Sequence, residues 1–139
     1  MYLKQADLFW GLSQGFIQTV TAIATKKEFA EGDTIFCAGE PARHFCILIH
    51  GKVKCLLDPT GKRVYASDRI GEIFGWSALI GQEKYTASVI CEHPTMVLML
   101  EKDRINRLLA EDVDSAMVFY RQLACTLGRR LMEMYQLYG

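Results

Sequence analysis

Short apolar segments separated by turn residues occupy the middle of the chain, and this pattern restricts the fold more than any other feature of the sequence. Between about Lys26 and Glu101 the turn residues recur roughly every eight to twelve positions. They are Glu31-Gly32-Asp33, Gly39-Glu40-Pro41, His50-Gly51, Asp58-Pro59-Thr60-Gly61, Asp68 to Gly71 and His93-Pro94. Strands at this spacing are typical of sandwiches, barrels and jelly rolls. The sequence therefore predicts a mainly β fold.

Helical periodicity flanks the β region on both sides. Apolar residues recur at helical spacing from Ser13 to Thr25, and Ser13 is placed to cap that helix. After the β region, Asp103 can cap a second helix, and a longer helix follows from Val113. A chain of 139 residues has the length of one domain. The predicted single domain, 1–139, consists of an N-terminal helical segment (1–25), a β-roll (26–101) and C-terminal helices (102–139).

The last predicted helix carries a heptad pattern. Its apolar residues step alternately by four and three positions through Val113, Met117, Tyr120, Ala124, Leu127, Leu131, Met134 and Tyr138. A stripe this narrow is typical of a coiled-coil seam, and it predicts a homodimer through helix 113–138. A helix that lies across its own β-roll is the alternative. The two interpretations are compatible if the first half of the helix packs on the β-roll of its own chain and the rest packs on a partner.

The net charge and the cysteines limit which partners and cofactors the chain can have. Sixteen basic and sixteen acidic residues give zero formal net charge, so we expect no general attraction to nucleic acid or to membranes. We find no apolar run long enough to span a membrane and no signal-peptide core, which predicts a cytoplasmic protein. The five cysteines are an odd number without a Cys-x-x-Cys pair. We expect core thiols and no resident cofactor.

One glycine-containing segment, Gly71 to Gly81, lies between two predicted strands and is the candidate binding segment. The small residues Ser77 and Ala78 come shortly after Gly75, which is typical of a short helical turn beginning at Gly75 or Trp76. The first N–H groups of such a turn have no intrahelical partner and can bind an anion. The segment therefore predicts a site for a small anionic ligand at the backbone of residues 76–79.

This segment and the strands around it resemble the cyclic nucleotide-binding domain family. The resemblance is carried by Leu8-Phe9, Leu12-Ser13, Glu31 to Phe36, Gly39 to Ala42, Phe45 to Val53, Gly71 to Leu79, Thr86 to Val89, Leu98 to Leu100 and the terminal helices. It implies a jelly roll, or double-stranded β-helix, flanked by N-terminal and C-terminal helices. It also implies a non-enzymatic regulatory module that senses a ligand such as cAMP or cGMP and signals through its C-terminal helix.

The resemblance further implies where the ligand binds. In the family the segment matching Phe74 to Val89 holds the cyclic phosphate, a Glu accepts a hydrogen bond from the ribose, and an Arg binds the phosphate. Here Trp76 stands at the Glu position and Tyr85 at the Arg position. Losing a charged bidentate partner costs about 2–5 kcal/mol, so we expect weakened binding. The predicted ligand-binding residues are Phe74, Gly75, Trp76, Ser77, Ala78, Leu79, Lys84, Tyr85 and Thr86.

Two further positions bear on the ligand. Lys84 is the candidate that could replace the missing positive charge, although on a regular strand it would point away from the face of Tyr85. In the family, base recognition uses residues just beyond an Arg-Arg-Leu on the last helix. Arg129-Arg130-Leu131 is present here, and the positions beyond it hold Met134 and Tyr135.

Other functions are open alternatives. The domain could be a structural or dimerisation domain whose ligand-free pocket is plugged by Trp76. Gly75-Trp76-Ser77-Ala78-Leu79 lacks the last glycine of a nucleophile elbow, which disfavours an esterase. A haem would need an axial ligand, for which the histidines His44, His50 and His93 are candidates. Three arginines of the last helix, Arg121, Arg129 and Arg130, are too few for a DNA-binding surface.

Overall fold

Two antiparallel four-stranded sheets form the centre of the chain in a computed structural model, which describes residues 6–57 and 63–138. The strands, numbered β1 to β8, are Thr25–Phe29, Thr34–Phe36, His44–His50, Val53–Leu56, Arg63–Ser67, Ile73–Phe74, Ser88–Cys91 and Thr95–Glu101. One sheet has the order β1-β8-β3-β6 and the other β2-β7-β4-β5. This architecture confirms the predicted β-roll, which helices precede and follow in the sequence. The predicted turn at Asp58 to Gly61 lies outside the described residues.

The strand β3 is apolar almost throughout because both of its faces are buried. Phe45, Ile47 and Ile49 point into a core shared with the helices. Cys46 and Leu48, which alternate with them, point into a second core between the two sheets. The neighbouring strand β8 follows the same alternation, and the two strands pair in antiparallel register. The β-roll is thus a sandwich with its own core and a helical layer on one side.

The first helix, α1, spans Gln14–Ile23 and begins as the sequence predicts. Oγ of Ser13 accepts a hydrogen bond from the backbone N–H of Phe16 at 3.2 Å, which satisfies one of the unpaired donors of the first turn. Phe16, Ile17 and Val20 form its buried face. Two short 3₁₀ helices lie at Asp7–Phe9 and Trp76–Leu79.

Two helices follow the last strand: α2, Lys102–Glu111, and α3, Val113–Tyr138. The expected cap of α2 was Asp103, and this was wrong, since Glu101 holds the N-cap position and Asp103 lies in the first turn. The extended backbone of β8 passes directly into the helix, so the last strand residue becomes the cap. Asp112 caps α3, because its carboxylate accepts from the N–H of Ser115 at 3.1 Å and from the hydroxyl of Ser115 at 2.7 Å.

The long helix α3 has one buried face and one exposed apolar face. One packs on the body of the domain through Ser115, Phe119, Leu123, Thr126 and Arg130. The other is the N-terminal part of the heptad stripe, whose Val113 and Met117 side chains are 75% and 69% exposed. Within residues 6–57 and 63–138, no helix combines the length and the apolar character that a membrane crossing requires.

Candidate ligand-binding cavity

A cavity of about 440 Å³ lies between the β-roll and α3. Its walls come from β4, β5, the segment from Phe74 to Ser77, the segment from Tyr85 to Val89, and the C-terminal half of α3. The volume falls within the range of small-molecule sites, about 300–1,000 Å³. The cavity therefore has room for a small ligand, and both the β-roll and the helix would touch it.

Gly75 shapes the floor of the cavity. Its φ of 78° is left-handed, and a Cβ atom there would lie 2.6 Å from Cε2 of Phe36 and 3.0 Å from the carbonyl oxygen of His44. Only glycine combines this backbone with so close an approach. The backbone then enters the 3₁₀ helix Trp76–Leu79, where the sequence predicts a helical turn.

The short helix offers fewer free amides than the sequence predicts. The N–H of Ala78 donates to the carbonyl oxygen of Gly75 at 3.2 Å, so it is used inside the turn. The N–H groups of Trp76 and Ser77 precede this first bond of the helix. The available donors lie at residues 76 and 77, because a 3₁₀ turn closes one residue earlier than an α-helical turn.

Six of the nine predicted ligand-binding residues line the cavity: Phe74, Gly75, Trp76, Ser77, Tyr85 and Thr86. The other three lie elsewhere. Ala78 and Leu79 are buried, each in one of the two cores. Lys84 is exposed and pairs with Pro41, because the adjacent Tyr85 turns inward and the alternation of the extended chain turns Lys84 outward. Lys84 therefore does not supply a charge to the cavity.

Tyr85 is committed to the protein rather than to a ligand. Its hydroxyl donates to the carbonyl oxygen of His44 at 2.5 Å and accepts from the N–H of His44 at 3.1 Å. Its ring stacks on Phe36 with centroids 4.6 Å apart, and the residue is only 7% exposed. Burial raises the pKa of this phenol. Tyr85 thus attaches the end of the binding segment to β3. It does not take over the role of the arginine that binds the phosphate in the family.

Trp76 lines the cavity without filling it. Its half-buried ring packs against the core that the helices share. The cavity of about 440 Å³ remains beside it. An indole presents an apolar face and one N–H donor, and it accepts no hydrogen bond. The position that accepts from a sugar hydroxyl in the family is therefore an apolar wall in this chain.

A buried carboxylate behind the cavity was missed by the sequence analysis as a site residue. Glu72 is 1% exposed. Its Oε1 lies 2.9 Å from Nη2 of Arg129 and 3.3 Å from Nη2 of Arg130, and its Oε2 accepts from the hydroxyl of Tyr65 at 2.9 Å. Burial alone would raise the pKa of Glu72, but the Arg130 charge and the bonds from Arg129 and Tyr65 outweigh it and lower the pKa. Glu72 is therefore ionised.

Arg130 is the cationic group of the cavity wall. It is 7% exposed, and its guanidinium lies 5.0 Å and 5.1 Å from the ring centroids of Phe74 and Tyr65. Its Nη2 donates to the carbonyl oxygen of Ile73 as well as to Glu72. Its Nε is buried without a hydrogen-bond partner among the described residues. Its Nη1 makes no hydrogen bond among the described residues and is not sealed off in this way, so it is the nitrogen available to an acceptor on a ligand.

The walls from β4, β5 and α3 are otherwise apolar or neutral. Leu127, Leu131 and Met134 supply the helix side of the cavity. Tyr135, at the second of the predicted base-recognition positions, is 63% exposed and lies outside the lining. Cys55 lines the other side, and its burial raises the pKa of the thiol to about 11, so it is neutral.

The histidines lie away from this cavity. His44 and His50 are the two end residues of β3, and His93 lies in the turn before β8. Among the described lining residues we find Ser77 but none of these three. The arrangement therefore gives Ser77 no histidine base in the cavity, and it gives a haem in the cavity no histidine ligand.

Comparison with known proteins identifies the family of the chain. The profile of the family described as the cyclic nucleotide-binding domain matches residues 26–112. The human cyclic nucleotide-gated channel beta-3 is 24% identical over 131 residues, which make up 92% of this chain and 16% of the channel. The chain thus spans about a sixth of that relative's length.

Solved structures show the same fold. A cyclic nucleotide-binding domain from Methylobacillus flagellatus KT has a TM-score of 0.83 and 19% identity, over 97% of this chain and 77% of that one. The sensor domain of the transcriptional regulator DNR from Pseudomonas aeruginosa has a TM-score of 0.75 and 25% identity, over 95% and 90% of the two chains. This chain belongs to the cyclic nucleotide-binding domain family.

Proposed function

We propose that the chain is a non-enzymatic, ligand-sensing regulatory module. A small anionic ligand binds in the cavity, and its presence is transmitted through α3 to a partner. The observation that carries this proposal is that the β-roll and α3 form the cavity together. A ligand that contacts both walls changes the free energy of their association, which is the requirement for a binding-linked switch.

The contacts between Glu72 and α3 support transmission. Arg129 and Arg130 reach from the helix to one buried carboxylate on the β-roll. A ligand beside Arg130 interacts with the same guanidinium that holds the helix in place. Occupancy of the cavity and the position of α3 are thereby coupled through one charged group.

A cyclic nucleotide such as cAMP or cGMP is a candidate ligand with weakened affinity. The left-handed Gly75 and the N–H groups of Trp76 and Ser77 support a phosphate at the backbone. Trp76 and Tyr85 leave the two side-chain partners of a cyclic nucleotide absent. Our proposal therefore ranks cyclic nucleotides below ligands that Arg130 can bind directly.

The alternative is a structural or dimerisation domain with an empty pocket. Tyr85 favours it, because its hydroxyl is already bonded on both sides to His44. The volume left beside Trp76 favours the sensor, because a plugged pocket would have no such space.

Dimerisation through residues 113–138 is part of the proposal. The exposed side chains of Val113, Met117 and Tyr120 follow the heptad stripe on a face that the β-roll does not cover, and Leu131, which continues the stripe at the edge of the cavity, is 49% exposed. Two such faces together form a coiled-coil seam. A signal carried by α3 would then reach the second copy of the chain.

Calorimetric titration of the chain with cAMP and with cGMP tests the ligand. We expect weak, saturable heat and a rise in the melting temperature at millimolar concentration. If both nucleotides give neither heat nor a thermal shift at that concentration, cyclic nucleotides are removed from the proposal. Hydrogen exchange of residues 113–138, measured with and without ligand, tests whether α3 carries the signal.

A further inference from the structure

We infer that the cavity binds an amphipathic monocarboxylate, with an apolar aliphatic or aromatic body, in preference to a sugar phosphate. This inference rests on the proposed sensing function and names the chemical class of its ligand. Two observations carry it: the composition of the cavity wall, and the one charged group in that wall.

The wall is built for an apolar body. Its large side chains are Leu57, Trp76, Val89, Leu127, Leu131 and Met134. On the β-roll side, the hydroxyls of Ser77 and Thr86 are polar groups that a ligand could bind. The hydroxyl of Tyr65 already donates a hydrogen bond to Glu72. A ribose and a purine would lose their bonds to water here without replacement, which is unfavourable. A hydrocarbon body gains from the same burial.

The head group is indicated by Arg130. Of the described residues that line the cavity, Arg130 alone carries a charge. Its Nη2 is occupied by Ile73 and Glu72, and its Nε is buried out of reach of a ligand, whereas its Nη1 has no hydrogen bond among the described residues. Carboxylate and phosphate oxygens are the acceptors that suit a guanidinium, and a carboxylate brings one charge with fewer polar atoms to bury. The ligand's carboxylate would bind at Nη1.

The charged groups behind the cavity balance one another. Glu72 and Glu133 carry two negative charges, and Arg129 and Arg130 carry two positive charges. Of these four groups, Arg130 is the one that lines the cavity. A monocarboxylate brings a single charge to its guanidinium, while a dianion would bring two charges into an apolar cavity, which costs more.

Intrinsic fluorescence provides the test. The chain has two tryptophans, and Trp10 is 70% exposed. In a Trp10→Phe background, Trp76 in the cavity wall is the remaining reporter. Titration with octanoate, 1-octanol, cAMP and cGMP compares an acid, its uncharged counterpart and the family's ligands. We expect saturable binding of octanoate, at least about tenfold tighter than 1-octanol and tighter than either nucleotide.

Substitution of Arg130 separates the charge from the apolar wall. Arg130→Met should abolish the preference for octanoate over 1-octanol while 1-octanol still binds. Arg121→Met, an exposed position on the same helix, removes the same charge and should keep the preference. If Arg130→Met does not fold, Arg130→Lys keeps the charge without the planar guanidinium and should reduce the preference severalfold.

The outcomes distinguish the inference from the function on which it rests. Tighter binding of cAMP or cGMP than of octanoate would overturn the inference and leave the sensor standing. Equal affinity of octanoate and 1-octanol in the parent would overturn the role of Arg130. Binding of none of the four compounds would overturn the sensor itself in favour of the ligand-free domain.

Discussion

Nη2 of Arg130 lies 3.3 Å from Oε1 of Glu72, so α3 and the residue that precedes β6 share a buried ion pair. The Glu72 carboxylate is 1% exposed and Arg129 also donates to it at 2.9 Å. These contacts are the polar attachment of the C-terminal helix to the β-roll. Arg130 also lines the cavity, so under the proposed function a ligand would meet the same guanidinium that attaches α3 to the β-roll.

Replacing Glu72 should destabilise the domain and flatten its response to acid. Glu72→Gln leaves Arg130 buried without its counter-charge, and we expect a loss of about 3 kcal/mol, the lower end for breaking a buried ion pair, because glutamine keeps an acceptor. The folded pKa of Glu72 is lowered, so its contribution is complete above the unfolded value of about 4.3 and is lost as the pH falls through the folded value. Urea unfolding at several pH values between 7 and 3 measures both effects.

Glu133→Gln is the matched control for that experiment. Glu133 also contacts an arginine of the cluster, but its side chain is 44% exposed. We expect a change below about 1 kcal/mol. An equal loss in the two variants, or an unchanged acid response in Glu72→Gln, would contradict a special role for the buried carboxylate.

Tyr85 should matter for stability and not for ligand affinity. Tyr85→Phe keeps the stack on Phe36 and removes the hydroxyl that bonds to both backbone groups of His44. We expect a loss of about 1–3 kcal/mol, because buried backbone groups are left unpaired. Octanoate affinity, measured by Trp76 fluorescence, should change less than about twofold. A large loss of affinity without a loss of stability would return Tyr85 to the ligand contacts.

The alternation of sequence periods was sufficient to predict a mainly β region between helices, and the resemblance to the family predicted the jelly roll. Turn residues interrupt residues 26–101 at short intervals, which predicts strands. The heptad pattern of α3 is uninterrupted, which predicts one long helix. Gly75 and the turn after it were recognisable as well. The glycine alone was a weak signal, and the resemblance of the surrounding strands to the family strengthened it.

The sequence was less informative about which side chains face the cavity. Lys84 and Tyr85 lie in an irregular segment, where alternation alone does not decide which side chain faces inward. Glu72 and Arg130 meet only because α3 folds back over β6, a contact between distant parts of the sequence. A charged residue next to the apolar pair Ile73-Phe74 was the available signal for Glu72. An arginine beside the apolar stripe of α3 was the signal for Arg130.

Gly75 should tolerate no side chain. Gly75→Ala places a Cβ atom 2.6 Å from Cε2 of Phe36 at a left-handed φ of 78°. We expect a loss of at least about 1–3 kcal/mol from backbone strain, together with weaker octanoate binding as the cavity floor shifts. Gly128→Ala is the control, because nothing lies within 4 Å of the added atom. That helical position should gain about 0.5–1 kcal/mol instead. Gain or loss of the same sign in both variants would contradict this assignment.

The proposed dimer seam can be tested at Met117. Leu127 is a poor choice, since it lines the cavity and its loss would disturb both functions. Met117 is 69% exposed and belongs to the heptad stripe, so Met117→Asp should leave the monomer folded and place two carboxylates in the seam. We expect the dissociation constant of the dimer to rise at least about tenfold in sedimentation velocity. Cys125→Asp introduces the same residue at an exposed position on another face of α3, and it should sediment like the parent. A Met117→Asp variant that sediments like Cys125→Asp would exclude this face as the interface.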